Sequence, residues 1–369
     1  MTKIVKQKHI VIDARLYGPK HTGLGRYTKN LLLSLPHQKD FKNYRFTLLV
    51  YPELASEIAS DLKDNYQYAI TNLRHYSIAE QIFLPILLKK LKPDLVHLTH
   101  LDKPILYFGK SVVTVHDLIR HFSKGSATTT RSPLLYWPKY WAYMLMTKIV
   151  LATSHIIVPS EYWRQYIINR LGVEHGSVTT THEAVDPSFF SIHKSYIINP
   201  KSYILYTGNL YPHKNINVII EALKSLPNLK LKIICARSVF RDRLQKITSP
   251  DQVEFLGYVK DTDFAKLYSK ALALVHPAFI EGFSLTGLEA MALNCPVIAS
   301  NATCLPEIYQ DSVLYFNPNQ PSELVSQIKK LQDNPTLRQD LISRGQKQIK
   351  KYSWLKTAKQ TLDVYQKLL

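Results

Sequence analysis

Apolar runs of three to five residues recur along the chain, separated by longer stretches in which apolar residues return every three or four positions. The first kind has the length of a buried strand, the second the period of a helix packed on one face. In the first half the strand candidates are 9–12, 46–50, 95–98, 112–115 and 156–158. In the second they are 203–206, 231–234, 253–255, 271–275, 296–299 and 313–315. Strands alternating with helices, with no internal repeat or low-complexity stretch, predict parallel βα units. Between the two sets, 186–201 carries Pro187, Asn199 and Pro200 and little helical periodicity, which marks a linker. The pattern predicts an α/β protein of two doubly wound, Rossmann-like domains, 1–190 and 191–352. A last helix over 353–369, capped by Ser353 with Trp354, Ala358, Leu362 and Tyr365 on one face, needs an apolar surface and is expected to return to the first domain. Ligands of such sheets lie beyond the C-terminal strand ends, so the active site is expected in the cleft between the domains.

Composition supports this division. A chain of 369 residues, 46% hydrophobic and 20% charged, exceeds what one core usually supports. Cys235, Cys295 and Cys304 form no C-x-x-C spacing and read as reduced thiols. The polar stretch 1–8 runs straight into Ile10, Val11 and Ile12 with no apolar leader, so the chain is expected to be cytoplasmic. No apolar run approaches the roughly 20 residues of a membrane-spanning helix. The net charge of +19 is compatible with nucleic acid, an anionic membrane or a phosphate-bearing substrate. With 24 basic and 14 acidic residues up to 190, and 23 and 14 after it, the halves carry +10 and +9. So even a spread disfavours a nucleic-acid face.

The strongest local signal is a buried strand ending at Val275-His276-Pro277, a loop through Glu281 and Gly282, a helix, and a second buried strand from Pro296. Backbone N–H groups at the helix start near Ser284, Leu285 and Thr286 suit a phosphate. Glu281 and Glu289 are poor phosphate ligands but good acceptors for vicinal hydroxyls of sugar and ribose. For an arbitrary pair, a helix-start charge and a solvated helix position is the commoner explanation. A second segment, from Leu205 through Gly208 and Asn209 to His213, Lys214 and Asn215, places a lysine just before an amphipathic helix over 216–226, where it can neutralise a departing diphosphate. In the first half, Gly18, Gly23 and Gly25 follow the strand ending at Ile12-Asp13, without the third glycine and downstream acid of a dinucleotide site. His116 stands at the end of the strand 112–115, where α/β enzymes place ligands.

These segments together resemble the group 1 glycosyltransferases, glycosyltransferase family 4. The resemblance runs from Phe255-Leu-Gly-Tyr258 through Pro277, Glu281-Gly-Phe283, Leu288-Glu-Ala-Met-Ala292 and Pro296-Val-Ile-Ala-Ser-Asn301 to Leu305-Pro-Glu307, with Glu281 and Glu289 as the Glu-x7-Glu signature. It implies a GT-B fold and a retaining transferase, with Glu281 on the sugar hydroxyls and Glu289 on the ribose. Gly282, Phe283, Ser284, Leu285 and Thr286 would line the donor's sugar and diphosphate. Ser284 and Thr286 stand where the family usually has Gly and Pro, and Thr286 is read as a helix cap or phosphate ligand. Asn209 stands where an arginine is common, which shifts charge stabilisation onto Lys214, with help from His213. Gly23 and Gly25 correspond to a loop that closes over the donor phosphate, and His116, oriented by Asp117, to a residue that positions the transferred sugar. The stretch 207–215 looks most like mannosyltransferase relatives, which makes GDP-mannose the first expectation.

Other patterns carry less. Asp261-Thr262-Asp263 is better read as an N-cap than as a metal site. His97 and His100 lack a convincing third ligand, so no metal and no cofactor is expected beyond the nucleotide-sugar donor. The stretch 131–150 mixes Tyr136, Trp137, Tyr140, Trp141 and Tyr143 with Lys139 and Lys148, a core stripe or an interfacial helix. The expected partners are a nucleotide sugar, a saccharide or lipid-linked acceptor, and an anionic membrane surface. A phosphorylase or hydrolase on the same fold, and a basic nucleic-acid-binding protein, are the competing readings.

Overall fold

A computed structural model describes residues 7–125, 133–191, 203–257, 259 and 261–369. The segment 1–6, the core of the expected linker (192–202), residues 131–132 and Tyr258 lie outside the described residues. The chain divides into two compact units. The first draws on Met1–Leu118, Pro138–Glu183 and Ser353–Leu369, the second on Ile119–Trp137 and Ala184–Tyr352.

Seven parallel strands form the first sheet. They are β1 (Lys8–Asp13), β2 (Tyr44–Val50), β3 (Gln67–Ile70), β4 (Leu95–Leu98), β5 (Ser111–Thr114), β6 (His155–Val158) and β7 (Val178–Thr180), in the order β3-β2-β1-β4-β5-β6-β7. Six more, β8 (Tyr203–Thr207), β9 (Lys230–Ile234), β10 (Val253–Phe255), β11 (Leu274–His276), β12 (Val297–Ser300) and β13 (Leu314–Phe316), form the second in the order β10-β9-β8-β11-β12-β13. Every pairing is parallel. Parallel sheets are covered on both faces, which is why the central strands read as unbroken apolar runs. The edge strands β3 and β7 did not stand out in the sequence because each pairs on one side only and mixes polar residues with apolar ones. Strand β11 begins three residues later than 271 and takes in His276, which therefore ends the strand.

Each sheet reverses its strand order once, between β1 and β4 and between β8 and β11. Such switch points open a crevice at the C-terminal strand ends. In the second unit the core is built from Ile204, Leu231, Ile233, Val275 and Ile298 on the strands and Ile219, Leu324 and Ile328 on helices. Each such side chain contributes roughly 1.5–3 kcal/mol when fully buried. In the first unit the terminal helix Trp354–Leu368 buries Trp354, Ala358, Leu362 and Tyr365. Ser353 occupies its N-cap position but makes no side-chain cap bond. Tyr365 Oη lies 2.5 Å from His97 Nδ1, and Thr114 Oγ1 lies 2.8 Å from His97 Nε2. Burial, helped by the charge of His116, holds His97 at about 3, so it is a neutral structural residue.

Candidate active site

The residues expected to bind a donor collect at the β8/β11 switch point. After β8 the chain turns at Gly208 (φ 140°), and a 3-10 turn, Pro212–Lys214, leads to Asn215 in the left-handed region (φ 55°). Asn215 Nδ2 donates to the carbonyls of Pro277 (3.2 Å) and Pro318 (2.8 Å), and Phe279 N donates to His213 O (2.8 Å). These bonds tie the loop after β8 to the loop after β11. They set Lys214 Nζ 2.7 Å from Glu281 Oε1.

His276 lies on the other side of that carboxylate, with Nε2 2.7 Å from Glu281 Oε1. Its Nδ1 is 2.9 Å from both Ser284 Oγ and Tyr309 Oη. Burial pushes the Glu281 carboxyl upward, but the Lys214 ammonium and the His276 ring outweigh this and hold it well below the usual carboxylate range. A buried anion between two cation-capable groups can exchange those partners for hydroxyls of a bound sugar. Glu281 is 7% exposed and Glu289 4%, so neither is a solvated helix charge. His213 is half-buried, and desolvation, then the neighbouring Lys214 cation, hold it at about 4. It is therefore neutral near pH 7 and does not add the positive charge expected of it.

The helix Leu285–Ala292 starts behind Ser284, whose backbone is left-handed (φ 80°) and whose side chain makes no cap bond. Thr286 is the second residue of that helix, so it is not the cap. Tyr309 Oη accepts the Gly287 amide at 3.2 Å, and a Cβ on Gly287 would fall 2.2 Å from that oxygen. This leaves the Leu285 and Thr286 amides as the first-turn donors directed out of the helix end. Phe283 is buried with its ring edge-on to Tyr352, so its side chain serves packing. Gly282 is half-buried, and Asn209 is exposed, its Oδ1 accepting from Tyr211 N at 3.3 Å.

The first unit holds the other predicted residues. The helix Thr22–Ser34 begins earlier than the glycine loop suggests, so Gly23 and Gly25 lie in its first turn. A Cβ on Gly25 would sit 1.9 Å from Gly18 O, whereas one on Gly23 would meet nothing within 4 Å. Gly25 thus serves close packing. His116 Nδ1 lies 3.0 Å from Glu183 Oε1 and Nε2 2.9 Å from Thr99 O. Burial lowers its pKa, but Glu183 and the Thr99 carbonyl raise it further, to a net increase. Glu183 and the Thr99 carbonyl hold the ring, and Tyr27 packs edge-on against it at 4.6 Å.

His276, Tyr309 and Glu183 were not singled out in the sequence. His276 gave the same signal as His116, a histidine ending a buried strand. Tyr309 and Glu183 gave none, being brought in by tertiary packing. The side chains of Asp261 and Thr262, on which the capping reading rests, lie outside the described residues. The helix Pro133–Thr153 buries Tyr140, Met146 and Val150 and exposes Leu134, Trp137, Trp141 and Leu145, so its stripe is only partly core. Among the described residues no helix is long and apolar enough to cross a membrane.

Residues 22–189 match the family described as Glycosyltransferase Family 4, and residues 189–348 the one described as Glycosyl transferases group 1. The O-antigen chain mannosyltransferase RfbU of Salmonella typhimurium is 26% identical over 94% of this chain and 96% of its own. The O-antigen chain mannosyltransferase B of Escherichia coli is 29% identical over 58% of this chain and 60% of its own. Among solved structures, a sucrose-phosphate synthase from Thermosynechococcus elongatus superposes with a TM-score of 0.73 at 17% identity, covering 98% and 99% of the two chains. Anabaena HepE in complex with UDP does so with a TM-score of 0.71 at 14% identity, covering 98% and 100%.

Proposed function

The chain belongs to the group 1 glycosyltransferases, glycosyltransferase family 4, with the GT-B fold, and from that premise we propose that it moves a hexose from a nucleotide-diphosphate sugar to a saccharide or lipid-linked hydroxyl, with retention. Mannose from GDP-mannose is the first choice, supported by the O-antigen mannosyltransferases it is similar to. A nucleotide-sugar donor is also supported by the complexes of HepE with UDP and UDP-glucose.

The observation that carries the reading is the Lys214–Glu281–His276 chain of contacts, 2.7 Å at each step, beside the start of the helix Leu285–Ala292. Breaking the donor's anomeric C–O bond leaves positive character on the sugar and an added negative charge on the diphosphate. Lys214 and the amides of Leu285 and Thr286 stabilise that charge as it forms, so the step needs no metal at the diphosphate. Glu281 accepts from sugar hydroxyls and Glu289 from the ribose. The acceptor oxygen bonds to the anomeric carbon on the face the diphosphate leaves, and its proton passes to a phosphate oxygen. His116, held between Glu183 and the Thr99 carbonyl, positions the sugar. The exposed stripe of Leu134, Trp137, Trp141 and Leu145, with Lys139 and Lys148 exposed on the same helix, suits peripheral contact with an anionic bilayer.

The test is a thermal-shift screen of nucleotide sugars followed by turnover of the donor that binds. GDP-mannose is expected to raise the melting temperature most, and Glu281→Ala to abolish most turnover while the fold persists. A folded Glu281→Ala protein with near-normal turnover would overturn the site assignment.

A further inference from the structure

The crevice at the β1/β4 switch point is filled by buried charge that sugar transfer does not use. Asp13 ends β1, and His100 and Asp102 follow β4. His75 and Glu80 come from the loop after β3 and the first turn of the helix Ile78–Leu91. Ser77 Oγ accepts the Glu80 amide and Glu80 Oε2 accepts the Tyr76 amide (2.8 Å), which fixes that carboxylate. Arg15 Nη2 lies 2.6 Å from Asp13 Oδ2 and 2.6 Å from Glu80 Oε1, with all three side chains fully buried. Three carboxylates, one guanidinium and two imidazoles meet in this one cluster.

The two histidines bring ring nitrogens up to these carboxylates. Asp102 Oδ2 lies 3.2 Å from His75 Nδ1, which fixes the ring and leaves His75 Nε2 without a hydrogen-bond partner. Neither ring nitrogen of His100 has one, although that residue is only 2% exposed. One ring nitrogen each of His75 and His100 and one carboxylate oxygen of Asp13 lie within 4.8 Å of one another. His75, Glu80 and Asp102 meet the same criterion. A tetrahedral zinc ion with bonds of about 2.0–2.1 Å needs its ligand atoms about 3.4 Å apart, a separation inside that bound.

We propose that this cluster is a binding site for a divalent transition-metal ion of the zinc type, with Asp13, His75 and His100 as ligands and Asp102 as the carboxylate that orients His75. Two nitrogens and an oxygen favour zinc over magnesium or calcium. Glu80, Asp102 or a water completes the fourth position. A sugar is too large for residues this buried; a bare ion is not. The sequence showed His100 without its partners, because Asp13 and His75 reach it only through the fold.

The site lies wholly in the first unit, and its test needs no donor. The full chain, purified without metal-affinity resin and dialysed against a chelator, is titrated with zinc against a chromophoric competitor. One equivalent is expected to bind and to raise the melting temperature, and His100→Ala is expected to lose both effects. Asp102→Asn is expected to weaken binding about 10–100-fold, as removal of a carboxylate behind a ligating histidine does. Should His100→Ala fail to fold, cobalt substitution of the unaltered chain decides the matter: intense visible d–d bands denote a four-coordinate site with nitrogen ligands. No stoichiometric zinc in the unaltered chain, binding unchanged in a folded His100→Ala, or cobalt bands of a six-coordinate aquo ion would each overturn the proposal.

Discussion

The two sheets present equivalent crevices to different chemistry. At β8/β11 the crevice holds the buried carboxylate of Glu281, shared by Lys214 and His276, next to the start of the helix that carries the buried Glu289. At β1/β4 it holds three carboxylates, one arginine and two histidines, with ring nitrogens left without partners. The first arrangement can exchange partners with a ligand that is anionic at one end and hydroxylated at the other. The second gathers carboxylates and imidazoles and is closed to anything larger than an ion. Topology thus supplies the crevice, and the side chains at the strand ends decide what enters it.

The largest expected effect tests the donor side of this contrast. Lys214→Ala removes the ammonium placed on Glu281 and, in the proposed reaction, on the leaving diphosphate. Turnover is expected to fall about 10²–10³-fold, the range seen when a donor to a developing oxyanion is removed. Steady-state kinetics with the bound donor measures it, with circular dichroism to show that the fold remains. A loss of less than tenfold would move the charge stabilisation elsewhere.

A second test separates packing from ligand approach within the first unit. In Gly25→Ala the new Cβ meets the backbone oxygens of Gly18 and Leu16, at 1.9 and 2.8 Å, and neither can step aside as a side chain does. The expected cost is about 3 kcal/mol in urea unfolding. Gly23→Ala meets nothing within 4 Å, so stability is expected to shift by less than about 1 kcal/mol, in the stabilising direction. If donor phosphate approaches this helix start, Gly23→Ala loses turnover while keeping the fold. Unchanged turnover would make both glycines purely structural.

The contrast also explains what was legible in the sequence. Glu281, Gly282, Ser284 and Glu289 lie within one loop and helix, and Lys214 within one strand-turn-helix step, so local spacing reveals them. The cluster around His100 draws on residues 13, 15, 75, 80, 100 and 102, which follow three different strands. No spacing marks them. His116 was legible as a histidine ending a buried strand, but its partner Glu183 follows β7, an edge strand without an apolar run. The doubly wound architecture itself was legible because central parallel strands are apolar on both faces; only the half-covered edges escaped.

The smallest effect expected concerns Ser284, which holds a left-handed backbone where glycine is easiest. A non-glycine residue there costs about 1 kcal/mol, so Ser284→Gly removes a strain. It also removes the contacts of Oγ with His276 Nδ1 at 2.9 Å and Tyr309 Oη at 2.5 Å, and each hydrogen bond lost costs about 0.5–1.5 kcal/mol. The hydrogen bonds outweigh the strain, so Ser284→Gly is expected to destabilise by about 1 kcal/mol. Ser284→Ala loses the same bonds and keeps the strain, so it is expected to cost about 1 kcal/mol more than the glycine variant. Urea unfolding of the pair measures the difference directly. A glycine variant more stable than the natural chain would mean that the His276–Tyr309 contacts contribute little, and that serine stands here for what it does to a bound donor.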